Sequence, residues 1–62
     1  MTAEEKLIAD FLSAGVRNFD EISENTKIPA GMLQSCLSKM EISGIVEKQK
    51  GSNYKLQITD YK

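Results

Sequence analysis

Leu7, Ile8, Phe11 and Leu12 recur at helical spacing behind Thr2-x-x-Glu5, the pattern of a capping box. Gly15 follows Ala14 and suits a helix stop, because glycine enters the left-handed region cheaply. The pattern predicts a first helix over Ala3 to Ala14. Val16 to Phe19 alternates briefly and reads as a short strand or an extended link. Asn18-x-x-Glu21 repeats the capping signature, with Asp20 and Glu21 suited to a first helical turn. A second helix is expected from Phe19 or Asp20 to Thr26, with Phe19 and Ile22 inward. Lys27-Ile28 forms a tight link, and Pro29 suits the start of a third helix. Leu33, Cys36, Leu37 and Met40 give that helix an apolar stripe, and Gly44 ends it, so it spans Pro29 to Ser43.

After Gly44 the period falls from helical to two. Ile45 to Lys48 reads as a strand, and Tyr54, Leu56 and Ile58 alternate with Lys55, Gln57 and Thr59 in a second. Gln49 to Asn53 is polar, contains Gly51, and predicts a hairpin turn. Asp60-Tyr61-Lys62 is expected to fray. Three helices followed by a hairpin make a mainly α domain with a C-terminal β-hairpin. This is the order of a winged helix-turn-helix, with the second and third helices as the helix-turn-helix and the hairpin as the wing. Residues 1–62 are expected to form one such domain.

Composition narrows what the domain can do. Cys36 is the only cysteine and there is no histidine. An internal disulfide is therefore excluded, and a structural zinc site lacks its ligands. Cys36 lies on the apolar stripe and reads as a small core residue. The glycines are scattered and form no phosphate-cradling loop. The acidic residues of the first two helices are better explained by capping and solvation than by acid–base chemistry, which needs a cleft. The reading is of a binding module, not an enzyme, with no cofactor and no small-molecule substrate. No apolar run reaches the roughly 20 residues of a membrane span, and the acidic start is unlike a signal peptide, so a cytoplasmic location is expected.

Charge is uneven along the chain. Met1 to Val46 holds four basic and seven acidic residues, a net of −3, whereas Glu47 to Lys62 holds four basic and two acidic, a net of +2. The basic end coincides with the wing. Lys48, Lys50 and Lys55, with Gln49, Ser52 and Asn53 beside them, are of the types that hold phosphates. Equally, lysines keep an edge strand soluble. On the third helix the outward residues are Gly31, Gln34, Ser35 and Ser38, with Lys39 and Glu41 near the edges. Base edges are read by Arg, Lys, Asn or Gln, so only Gln34 and Lys39 qualify, and a merely solvated face is the competing reading. Arg17 and Lys27 flank the helix-turn-helix and are further phosphate candidates, although lone surface cations seldom do anything specific.

The order of particular residues is also familiar. Phe19-Asp20-Glu21-Ile22-Ser23-Glu24-Asn25-Thr26-Lys27-Ile28-Pro29 is similar to a family phrase in which a short helix ends at Thr before a turn. Leu33-x3-Leu37-x2-Met40-Glu41-x2-Gly44-Ile45-Val46-Glu47 resembles a helix closing in Leu-Glu-x-x-Gly before a strand, and Tyr54-Lys55-Leu56 the returning strand. Together they resemble the C-terminal winged-helix domain of the DNA-processing protein A family (DprA, also called Smf) over Glu5 to Leu56. The closing pattern also recurs across winged-helix transcription regulators. Pro29 and Gly31 depart from the family, which tends to place a small polar cap and a charged residue there. The resemblance implies an accessory domain in DNA processing during natural transformation. Recombinase loading belongs to the family's main domain and does not carry over.

The implied partner is DNA, bound weakly and largely without sequence preference through Gln34, Ser35, Ser38, Lys39, Lys48, Lys50, Ser52, Asn53 and Lys55. The alternatives are a small winged-helix transcription regulator, or a protein-association module that forms a homodimer or meets another protein. The acidic body and the apolar Met32 and Ile42 at exposed positions motivate the latter.

Overall fold

A computed structural model describes residues 2–58. Helix α1 spans Ala3–Leu12 and opens on the expected capping box. The Thr2 N–H donates to Glu5 Oε1 at 2.9 Å, and the Glu5 N–H donates to Thr2 Oγ1 at 3.2 Å. The helix stops two residues before the expected end. Its last turn tightens, with the Ala14 and Gly15 N–H groups donating three residues back to Phe11 and Leu12. Gly15 lies just past this turn with φ 137°.

Strand β1 is only Arg17–Asn18, which settles the choice between strand and link. Asn18 then caps helix α2, Phe19–Thr26. Its Oδ1 accepts from the Asp20 N–H at 2.9 Å, while its own N–H donates to Glu21 Oε1 at 3.1 Å. The turn after α2 is fixed by hydroxyls. Thr26 Oγ1 donates to the Ile22 carbonyl and accepts from the Ile28 N–H, and Ser23 Oγ donates to the Ile28 carbonyl at 2.8 Å. Lys27 makes the reversal in the left-handed region, at φ 64° and ψ 20°.

Helix α3 spans Ala30–Ile42. Pro29 stands one place earlier than expected, as the extended N-cap rather than the first helical residue, and its carbonyl accepts the Leu33 N–H. The far end is a Schellman motif. The Gly44 N–H donates to the Glu41 carbonyl and the Ile45 N–H to the Met40 carbonyl, with Gly44 at φ 78°. That closure turns the chain into strand β2, Val46–Gln49, and Lys50 to Ser52 leads into β3, Asn53–Leu56. Both strands differ from the expected bounds. Pairing, not side-chain alternation, sets their ends, and one further bond joins the Gln57 N–H to the Ile45 carbonyl. Thr59 and the expected frayed end, Asp60 to Lys62, lie outside the described residues.

The sheet is antiparallel, in the order β1-β3-β2. Three helices with this sheet form a winged helix-turn-helix, α2 and α3 making the helix-turn-helix and β2–β3 the wing. Ile8, Ala9, Leu12, Ile22, Ile28, Leu33, Leu37, Met40, Val46 and Tyr54 form the core. Leu7, one of the apolar positions at helical spacing, is 51% exposed. At 100° per residue it points away from the arc shared by Ile8 and Leu12, and Ala9 fills that arc instead. Phe11, Phe19, Cys36 and Leu56 sit half-buried at the rim.

Candidate nucleic-acid interface

On α3 the core takes Leu33, Leu37 and Met40, so Gly31, Gln34, Ser35 and Ser38 face outward, and all four are exposed. No acidic residue stands in the first turn of this helix. The Gln34 side chain makes no hydrogen bond among the described residues, so its amide keeps both a donor and an acceptor to offer.

Lys39 is exposed but turns toward α1. There it lines a concavity with Thr2, Glu4, Glu5, Met32, Ser35 and Cys36. The same charges act on the Cys36 thiol. Burial pushes its pKa above the ordinary value, Glu5 and then Glu4 add to the rise, and Lys39 opposes it. Lys39 therefore sits in a locally acidic setting, which weakens it as a phosphate contact.

The register divides the wing. Cross-strand partners share a sheet face, and neighbours along a strand alternate. Val46 and Tyr54 are buried; Lys48 is two residues from Val46 and directly opposite Tyr54. Lys48 therefore belongs to the helix-covered side of the sheet, beyond the core, where it is exposed. Lys55 lies opposite Glu47 on the other side, and its Nζ is 3.9 Å from Glu47 Oε1. Lys50 is in the loop with Ser52, both exposed. Asn53 is half-buried, and its Nδ2–H donates to the Lys50 carbonyl at 3.0 Å, bracing the turn. The Ser52 carbonyl accepts from the Phe19 N–H at 2.8 Å, which ties the wing to the start of α2.

The nine residues expected from sequence thus do not lie on one face. Gln34 and Ser38 lie on the outer face of α3, and Ser35 stands between that face and the α1-side concavity, which it also lines. Lys48 and Lys50 form the free basic part of the wing, with no ion pair among the described residues. Lys55 faces the other way with a carboxylate beside it, and the Asn53 amide is used internally. Arg17 is also committed to packing. Its guanidinium carbon lies 5.3 Å from the Phe11 ring centroid, and Nη1 donates to the Val16 carbonyl. Sequence reasoning missed the neighbouring carboxylates, Glu4 and Glu5 in the concavity that Lys39 lines and Glu47 opposite Lys55. The Glu47–Lys55 pair was within reach by counting outward from Gly51.

Among the described residues, no three His, Cys, Asp or Glu side chains converge where a metal ion could be held. No helix among them is long and apolar enough to cross a membrane. The family model for the sugar-specific transcriptional regulator TrmB matches residues 2–62. The chain belongs to the TrmB family. No curated protein matches it.

The TrmB match overturns the resemblance to the DprA/Smf family, and the expected role in natural transformation goes with it. The physical reason lies in the residues that carried the resemblance. Leu33, Leu37 and Met40 are the core stripe of α3, and Glu41 to Ile45 is its Schellman stop before a strand. Many winged helices need that sequence of events, so it specifies the fold and not the family. What stands is the transcription-regulator alternative: a winged-helix domain of a family of DNA-binding regulators.

Proposed function

We propose that this chain binds duplex DNA as the winged-helix domain of a transcriptional regulator, laying the outer face of α3 in the major groove. Lys48 and Lys50 reach the flanking phosphates. The observation that carries this reading is the free outer face of α3, where Gly31, Gln34, Ser35 and Ser38 present short or uncharged polar groups with no carboxylate in the first turn. Small side chains let a helix approach base edges closely, and hydroxyls contact either bases or backbone. The affinity of one domain is low, because the wing supplies two lysines with no ion pair among the described residues and the chain as a whole carries a net charge of −1.

Counterion release makes the test quantitative. Two or three phosphate contacts give a slope of about −2 to −3 in log K against log salt. Fluorescence anisotropy with a labelled duplex should show that slope, and Lys48→Glu with Lys50→Glu should flatten it and weaken binding at low salt. Binding with no salt dependence, or unaffected by the double substitution, contradicts the reading.

A second reading, association between copies, is favoured by Leu7, which is 51% exposed on α1 away from the core. Sedimentation at increasing concentration tests it. A Leu7→Lys variant should shift the distribution toward monomer, and a wild-type monomer at all concentrations removes the idea.

A further inference from the structure

We infer that Gln34 is the specificity-determining residue of α3 and that it selects adenine in the major groove. This inference rests on the duplex-binding reading above and adds the base it reads. Three observations converge on Gln34. The outward positions around it are Gly31, Ser35 and Ser38, too short to span far into a groove, and Glu41, seven residues on along the same side, offers acceptors only, so Gln34 is the one long side chain there that offers both a donor and an acceptor. Its amide has no partner among the described residues, so engaging a base breaks no bond to them. The other candidate, Lys39, is drawn to the α1 side and shares a concavity with Glu4 and Glu5.

The chemistry then selects the base. A glutamine amide offers one N–H donor and one carbonyl acceptor side by side. Adenine presents the complement in the major groove, N7 accepting and the N6 amino group donating, so the pair forms two parallel hydrogen bonds. Guanine presents two acceptors, N7 and O6, and leaves the amide carbonyl of Gln34 facing an acceptor. Cytosine and thymine each present a single polar group there. Discrimination is confined to one base pair per domain, because Ser35 and Ser38 accept either kind of partner and Gly31 has no side chain.

The test is selection from a randomised duplex library, run with the full chain and two variants. Wild type should enrich adenine at one fixed position, favoured about 5- to 150-fold over the other bases there, the range expected of one good bidentate contact. Gln34→Ala should lose the preference at that position while keeping its affinity for unselected duplex within a few-fold. Gln34→Glu, which can only accept, should move the preference toward cytosine, whose N4 donates. Circular dichroism of each variant checks that the fold is kept, as an exposed position predicts. If wild type binds duplex but enriches no adenine, or if Gln34→Ala still selects it, the assignment of Gln34 is wrong and the duplex-binding reading survives. If wild type binds no duplex even at low salt, both fall together.

Discussion

Lys27 carries the reversal between α2 and α3 at φ 64° and ψ 20°, and it is the only residue other than glycine with positive φ among those described. In this region the Cβ crowds the following carbonyl, at roughly 1–2 kcal/mol for an L-residue. Glycine removes that strain but adds unfolded-state freedom, which costs about 0.4–1 kcal/mol. The comparison that isolates the backbone is Lys27→Gly against Lys27→Ala. Both lose the same charge at the end of α2, a helix with no basic residue in its last turn, so any loss of dipole stabilisation cancels between them. The difference left is about 0–1.6 kcal/mol, with a midpoint of about 0.8 kcal/mol, in favour of Lys27→Gly. For a chain of this size 1 kcal/mol moves Tm by about 4–8 °C. Thermal melts followed by far-UV circular dichroism should therefore place Lys27→Gly above Lys27→Ala, by about 3–6 °C at that midpoint. A glycine variant that melts at or below the alanine variant would show that the turn is not left-handed at Lys27, and the geometry that presents α3 would be wrong with it.

Other perturbations test the core and the thiol. Leu33 is fully buried, and Leu33→Ala should cost about 2–5 kcal/mol; a domain this small has about 3–5 kcal/mol in total. Urea titration should find that variant largely unfolded without denaturant, and a midpoint near wild type would contradict the core assignment. Cys36 should react with iodoacetamide at mildly alkaline pH more slowly than the same thiol in the urea-unfolded chain, because burial, Glu5 and Glu4 all raise its pKa. The sign for stability follows from the same shift. Above the unfolded thiol's pKa the unfolded chain sheds its proton first, so stability falls as pH rises toward the folded value. Cys36→Ala should remove this part of the alkaline loss, and an unchanged alkaline profile would count against the shift.

The parts of this fold that were legible in the sequence are those decided within a few residues. Thr2 with Glu5, and Asn18 with Glu21, form their capping boxes where the pattern places them, since each satisfies backbone donors two or three positions away. Gly44 stops α3 because the Schellman closure needs a left-handed residue there. Less legible was anything decided by tertiary packing. Ala9 and Ile28 belong to the core although neither stands in an obvious apolar stripe; Ile28 lies beyond the end of α2, with its carbonyl held by Ser23. β1 is two residues long, too short for a period, and exists because β3 offers an edge. The basic wing was visible as a cluster in sequence, but only the hairpin register shows that Lys48 and Lys55 occupy opposite sheet faces. Family membership was hidden for a related reason: the residues that looked diagnostic are those every such helix needs to pack and stop.

The central claim is that the outer face of α3 and the tip of the wing contact duplex DNA. It is tested most directly by titrating the isotopically labelled chain with a short duplex at low and physiological salt and following the backbone amide shifts. Salt-sensitive shifts are expected at Gly31, Gln34, Ser35 and Ser38 and at Lys48 to Ser52, with Lys55 and the Glu4–Glu5 end of α1 little changed. Shifts centred on α1, or none at low salt, would contradict it.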